Sequence, residues 1–331
     1  MTRPPTNPLT DSTDTTARLA KCFHALADNV ERVVKGKRDT IELALTSLFS
    51  EGHLLIEDVP GTGKTTLARC LAASIEADFA RVQFTPDLLP SDITGVTVYR
   101  QNTGAFEFLP GPVFANIVLG DEINRASPKT QSALLEVMEE RRVTADGTTH
   151  PVPRPFMVLA TQNSVDMGGT YPLPEAQLDR FLMRITVGYP DHASEVAVLT
   201  GKGTDAATPE SLTPVATARE IAELIEAAAE VQVADALYGY LVRVVAATRS
   251  LPDVRLGASP RGSVALLRAV RVRAASQSRP YVFPEDVKAL AGPVLAHRLI
   301  LTPEAELSGR TGTDVIEEVL ATVPLDSGAR V

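Results

Sequence analysis

The sequence predicts an α/β protein with two parts: a three-layer core around a mostly parallel five-stranded sheet, then an all-helical domain. Three observations point there. Five short strand candidates, runs rich in apolar residues, alternate with segments of helical spacing over the first 190 residues. A glycine-rich turn joins the first of those runs to a helix. Beyond Tyr189-Pro190 the strand signals stop and amphipathic helices follow.

Taken in order, residues 1–16, "MTRPPTNPLTDSTDTT", read as a mobile polar tail. From Ala17 to Val34, apolar residues recur at Leu19, Cys22/Phe23, Leu26, Val30 and Val33, the spacing of a helix with one buried stripe. Ile41, Leu45 and Leu48 mark a second helix, ended by Gly52. The strand candidates are "HLLIE", "FARVQF", "NIVLGDE", "FMVLAT" and "LMRITV". Two alternating segments interrupt the pattern: a hairpin over 96–108 turning at Asn102-Thr103-Gly104, and another over 142–150 centred on Asp146-Gly147. Insertions of this kind on a rigid core are places for partner contacts. In the second part, Thr217 with Glu220 forms a capping box, and Ser259-Pro260 supplies an N-cap and an N1 proline. The expected boundaries are 17–190 for the core and 191–331 for the helical domain, and no solenoid repeat interrupts either.

Composition narrows the function classes. At 331 residues with 44% hydrophobic content, the chain reads as soluble and globular. It carries no apolar run of membrane-spanning length and no secretory leader, so a cytoplasmic protein is expected. The formal charge of −9 removes a broad attractive field for nucleic acid. Cys22 and Cys70 read as inert thiols, and the five histidines show no zinc spacing.

The stretch "LIEDVPGTGKTTLARCLA" carries the chemistry. Gly61, Gly63, Lys64 and Thr65 match the end of a phosphate-cradling loop, but Asp58 occupies the place of its first glycine. That position marks the strand-to-loop turn and lies away from the phosphates, so an aspartate fits if its side chain points elsewhere. The amides of residues 61–66 (Gly61, Thr62, Gly63, Lys64, Thr65, Thr66) would meet a phosphate chain at the positive end of a helix. Lys64 would reach the β and γ phosphates and Thr65 would offer its hydroxyl to Mg²⁺. "NIVLGDE" ends in adjacent carboxylates, which a buried strand has no structural use for. Asp121 would hold the metal's water shell and Glu122 would polarise a water toward the γ-phosphate. Asn163, after "VLATQ", ends the strand beside that pair and would present a polar group to the attacking water; an ordinary turn residue is the other reading.

With these motifs assembled, the chain resembles the MoxR-family AAA+ ATPases from about Val33 to its C-terminus. The resemblance rests on "LIEDVPGTGKTTLA", "DEINRASPKTQSALLEVMEE", "VLATQN", "YPLPEAQLDRFLMRI", "YLVRVVAATR" and "GASPRG". Asp58 suits this family; Gly120 departs from it, alanine being commoner there. The resemblance implies an ATPase module with a helical lid, assembled into a homo-oligomeric ring, usually a hexamer, with ATP and Mg²⁺ between neighbours. It gives Asn163 the sensor-1 position, Arg180 the finger reaching the next subunit's γ-phosphate, and Arg261 the sensor-2 position arriving from the lid. Arg184 is a second choice for the finger. Val34 and Gly36 match a segment near the adenine, and the two hairpins match the helix-2 insert and the pre-sensor-1 hairpin. Such relatives act as chaperone-like maturation factors, often for von Willebrand factor A domain proteins and metal-dependent enzymes. Two further classes stay open: a DNA-translocating motor, which needs free cations such as Arg100, Arg141, Arg142 and Arg154 on the hairpins, and a nucleotide-gated scaffold with little turnover.

Overall fold

The computed structural model describes residues 8–59, 61–162, 170–189, 192, 196 and 208–325. Its centre is a parallel sheet of five strands, β1 (Leu54–Glu57), β2 (Phe79–Gln83), β5 (Ile117–Asp121), β8 (Met157–Gln162) and β9 (Met183–Ile185), in the order β2-β5-β8-β1-β9. All five coincide with the apolar runs that predicted them. Two antiparallel hairpins stand apart from it: β3 (Gly95–Arg100) with β4 (Ala105–Pro110), and β6 (Arg142–Ala145) with β7 (Thr148–Pro151).

Strand alternation divides the core into two faces. Leu55, Val118, Val158 and Ala160 point to one side, where Leu134, Leu135, Val137 and Met138 of α5 (Pro128–Glu140) cover them. Leu54, Ile56, Ile117, Leu119, Met157 and Leu159 point to the other, toward α1 (Pro8–Glu31), α2 (Arg38–Phe49) and α3 (Lys64–Ser74). Gly120 sits in β5 where a Cβ would lie 3.2 Å from Phe84 and 3.4 Å from Leu134, so those two side chains use the space an alanine would take.

The stretch 1–16 expected to be a mobile tail is in part helical, because α1 already begins at Pro8. A helix nucleated on the buried stripe gains one bond per added residue, and a proline loses nothing at a helix start. The short helices α4 (Pro90–Thr94) and α6 (Glu175–Leu178) complete the core.

The C-terminal part contains α7 (Ala218–Ala229), α8 (Asp235–Ala247), α9 (Pro260–Ser276), α10 (Pro284–Leu295), α11 (Pro303–Leu307) and α12 (Gly312–Thr322). The Thr217/Glu220 box and the Ser259 cap form as predicted. One small antiparallel pair, β10 (Val254–Leu256) with β11 (Ile300–Leu301), escapes sequence reading because two or three residues are too few to show a period. This part does not stand off from the core. Leu266, Val270 and Leu290 belong to the same buried cluster as Leu19, Leu26, Leu45 and Leu54, and α9 packs on both α1 and α2.

Candidate nucleotide site

The phosphate loop leaves β1 at its C-terminal end and enters α3. Gly61 and Gly63 hold φ of +84° and +86°, a left-handed conformation that side chains resist, so glycine is required at both. Asp58 points away from the loop. Its Oδ1 accepts the Val59 amide at 2.7 Å, and its Oδ2 accepts the amides of Val187 at 2.8 Å and Gly188 at 2.6 Å, just past β9. Burial alone would raise its pKa; the amides of Gly188, Val59 and Val187, with Lys64, outweigh that and hold it below the ordinary carboxylate value. The residue that broke the motif is therefore the tie between the loop's start and the segment that follows β9. Lys64 Nζ donates to the carbonyls of Asp58 at 3.0 Å and Val59 at 3.2 Å. Lys37 Nζ donates to Tyr189 O at 2.6 Å, which brings the turn containing Gly36 (φ +69°) and the adjoining buried Val34 to the same end of β9.

Two strands away, the acidic pair is built from four elements. Asp121 closes β5 in register with Gln83 of β2. Its Oδ1 accepts from Thr161 Oγ1 at 2.7 Å and its Oδ2 pairs with Arg81 at 2.6 Å. Glu122 then turns left-handed at φ +56°, a conformation costing an L-residue about 1–2 kcal/mol. That turn breaks the strand's alternation, so the second carboxylate joins the first at the β2 side. The Glu122 amide donates to Thr161 Oγ1 at 2.9 Å, and its Oε2 accepts from Gln83 at 3.0 Å and Arg125 at 3.1 Å. Buried Thr161 thus serves both carboxylate residues with one hydroxyl. Sequence reasoning missed Thr161, Arg81 and Gln83. Arg81 and Gln83 are two apart on one strand face, a signal that also fits an ordinary solvated face.

Among the described residues no three acidic, histidine or cysteine side chains cluster as a metal cage. The donor set present suits a hard cation completed by phosphate: the Thr65 hydroxyl in the first turn of α3 and the Asp121 carboxylate, both oxygen donors. Cys70 is buried and Cys22 half-buried; burial pushes their thiols up to about 12 and about 11.

The arginines lie at the other end of the strands: the loop and carboxylates stand at the edge formed by the strands' C-terminal ends, the arginines at the edge formed by their N-terminal ends. Arg180 precedes β9, whose first residue Met183 pairs with Leu54 at the start of β1, while the phosphate loop follows the end of β1. Arg180 pairs with Glu139 Oε2 at 3.0 Å, and Arg261 with Glu139 Oε1 at 2.7 Å. Neighbouring side chains tie the two segments as well: the Asp179 carboxylate accepts from Ser259 Oγ at 2.9 Å and from Nε of buried Arg298 at 2.8 Å. Both arginines line a cleft of about 540 Å³ with Arg141, Arg268 and Arg298. Arg184 is held within the sheet, on Glu57 at 3.0 Å. Asn163 lies outside the described residues; β8, which leads to it, runs between β5 and β1.

A loop of this form, facing an acidic pair across a parallel sheet, defines the P-loop nucleotide-binding class. Residues 53–183 match the ATPase family associated with various cellular activities (AAA), and residues 246–319 match the AAA lid domain. The chain is 50% identical to YeaC of Bacillus subtilis over 89% of its own length and 92% of that protein's. It is 45% identical to Chaperone MoxR1 of Mycobacterium tuberculosis, covering 89% and 80% of the two chains, and 34% identical to Protein MoxR of Methylorubrum extorquens, covering 97% and 98%. A solved structure of a candidate ATPase from Cytophaga hutchinsonii superposes with a TM-score of 0.89 at 38% identity, over 96% of this chain and 99% of that one. The chain belongs to the MoxR family of AAA+ ATPases.

Proposed function

We propose that the chain hydrolyses ATP with Mg²⁺ in a ring of identical copies, a hexamer on the family pattern, and uses the cycle to remodel protein clients. The observation that carries this reading is the division of the polar machinery: loop and carboxylates at one edge of the sheet, arginines at the other. A head-to-tail contact between copies brings one edge against the other and closes into a ring.

On this reading the amides of Gly61 to Thr66 and the Lys64 ammonium bind the triphosphate, and Val34 and Gly36 flank the base. Thr65 and Asp121 would hold Mg²⁺, which supplies neutralisation of the phosphate charge. Glu122 accepts the proton of the attacking water, and Asn163 orients that water. Arg180 comes from the neighbouring copy. The resemblance gave Arg261 the sensor-2 position arriving from the lid; because Arg261 shares Glu139 with Arg180 beyond the start of β1, we assign it to the neighbour's phosphate. We take Arg180 as the finger because it precedes β9, at the strand end away from its own phosphate loop, whereas Arg184 pairs with Glu57 at the end of β1 that the loop follows. The lid shares its core with α1 and α2, so the step that follows hydrolysis is a movement between subunits, with core and lid of one copy travelling together.

The client-facing surface is the hairpin pair. Phe108 stacks on His150 with centroids 4.2 Å apart, joining the two insertions, while Tyr99 and Phe106 are exposed. Von Willebrand factor A domain proteins and metalloenzymes are the client classes we propose, in line with the name Chaperone MoxR1 carried by one relative. The DNA-motor reading loses its cations: Arg100 pairs with Glu107, Arg142 with Glu140, and Arg141 and Arg154 with Glu51. Among the described residues no helix is long and apolar enough to cross a membrane, and we place the protein in the cytoplasm. Specific ATPase activity measured against protein concentration tests the reading: it rises as rings form, whereas a flat profile contradicts a site shared between copies. A concentration series near zero throughout favours the scaffold.

A further inference from the structure

We propose that Glu139 is a positioning residue that gathers Arg180 and Arg261 into one dication presented to the neighbouring subunit. The inference rests on the reading that both arginines serve that neighbour. Each oxygen of the Glu139 carboxylate takes one guanidinium, at 2.7 Å for Arg261 and 3.0 Å for Arg180. Two like charges at this spacing repel unless an anion stands between them. Arg180 Nε is buried without a hydrogen-bond partner, so the ion pair with Glu139 is what orients that guanidinium. The side-chain bonds among Asp179, Ser259 and Arg298 bring the two chain segments together but leave the long side chains of Arg180 and Arg261 their rotamers.

Glu139 is itself well held. It stands one residue from the end of α5, a helix of 13 residues and thus about 20 Å, seated in the core through Leu134, Leu135, Val137 and Met138. The other end of α5 is capped by Ser127, close behind the acidic pair. At the arginine end, His53 fixes the helix by a 3.0 Å contact to Met138 O. One rigid rod therefore spans from the carboxylate edge to the arginine edge.

A half-exposed ion pair contributes little to stability. A positioning role and a merely structural one thus separate in the readout. In the full-length chain, Glu139→Gln lowers kcat about 5- to 30-fold, leaves KM for ATP within about 2-fold, and leaves the melting temperature and ring population at wild-type values. Glu139→Asp, which keeps the charge, loses less. In a variant lacking both arginines, adding Glu139→Gln costs nothing further. Wild-type or raised kcat in Glu139→Gln overturns the proposal, as does a loss that persists without the arginines or that only tracks a lower melting temperature. If Arg180→Ala itself keeps wild-type kcat, the shared-site reading falls and this inference with it. If Arg180→Ala is inactive while Glu139→Gln is not, the role of Glu139 alone is refuted.

Discussion

The two edges of the central sheet are built by different means. At the carboxylate edge, backbone does most of the work: loop amides, the left-handed turn at Glu122, and one threonine hydroxyl shared between Asp121 and Glu122. At the arginine edge, long side chains meet on acidic partners, Glu139 for Arg180 and Arg261 and Asp179 for Arg298. The first arrangement is pre-formed within one chain. The second, on the proposed reading, presents its cations to the nucleotide of a neighbouring copy. Each subunit on this account holds half a site at either edge, and neither half suffices.

Substitutions at the two edges separate these roles, and the largest effect falls on the arginine edge. Arg180→Ala lowers kcat by roughly 10³-fold or more, the contribution of an arginine supplied in trans, while ATP affinity measured by equilibrium binding stays near wild type. Glu122→Gln lowers kcat by about 10²–10⁴-fold, the scale of a lost general base, and accumulates ATP-bound rings visible by size-exclusion chromatography. Turnover at the wild-type rate in that variant would remove Glu122 from the chemistry. Thr161→Val keeps the shape but strips both carboxylate residues of their shared hydroxyl. It is expected to cost about 1–3 kcal/mol in a denaturant titration and to slow turnover more than it weakens nucleotide binding.

A smaller effect concerns the joint between the edges. Burial lowers the pKa of His53 to about 4 from an ordinary 6.5, and burial together with Arg298 and Arg184 holds His297 well below that value. Both are neutral in the fold and protonate more readily when unfolded. Stability is therefore fully present above pH 6.5 and is lost as pH falls toward 4, with His53 alone accounting for about 3 kcal/mol. Thermal unfolding followed from pH 7.5 to 4.5 checks this, and a flat profile would show that these two rings do not titrate as their burial requires.

How much was legible in the sequence follows the same division. The strands, the loop and the acidic pair are local patterns, and local patterns survive in a single chain: five apolar-rich runs, two glycines flanking Thr62, two adjacent carboxylates where β5 ends. Even Asp58, which spoiled the motif, had its direction set by charge repulsion; its partners at Val187 and Gly188 lie about 130 residues away and had no local signal. Arg81, Gln83 and Glu139 were hidden because their roles are tertiary. On a strand face or at a helix end, such residues are indistinguishable from solvated charge. The placement of Arg261 was legible only as a family position, and the cluster shared by lid and core, which ties Leu266 to Leu26, depends on which faces of distant helices meet.

Mixing two inactive variants tests the central claim most directly. Lys64→Ala lacks a working phosphate loop but keeps its arginines, and Arg180→Ala keeps the loop but lacks the finger. Combined in equal amounts and allowed to exchange into mixed rings, they should recover about one quarter of wild-type ATPase activity, the share of contacts that join the intact loop of one to the intact arginines of the other. A mixture as inactive as its components, in rings shown to contain both, contradicts a site divided between neighbouring copies.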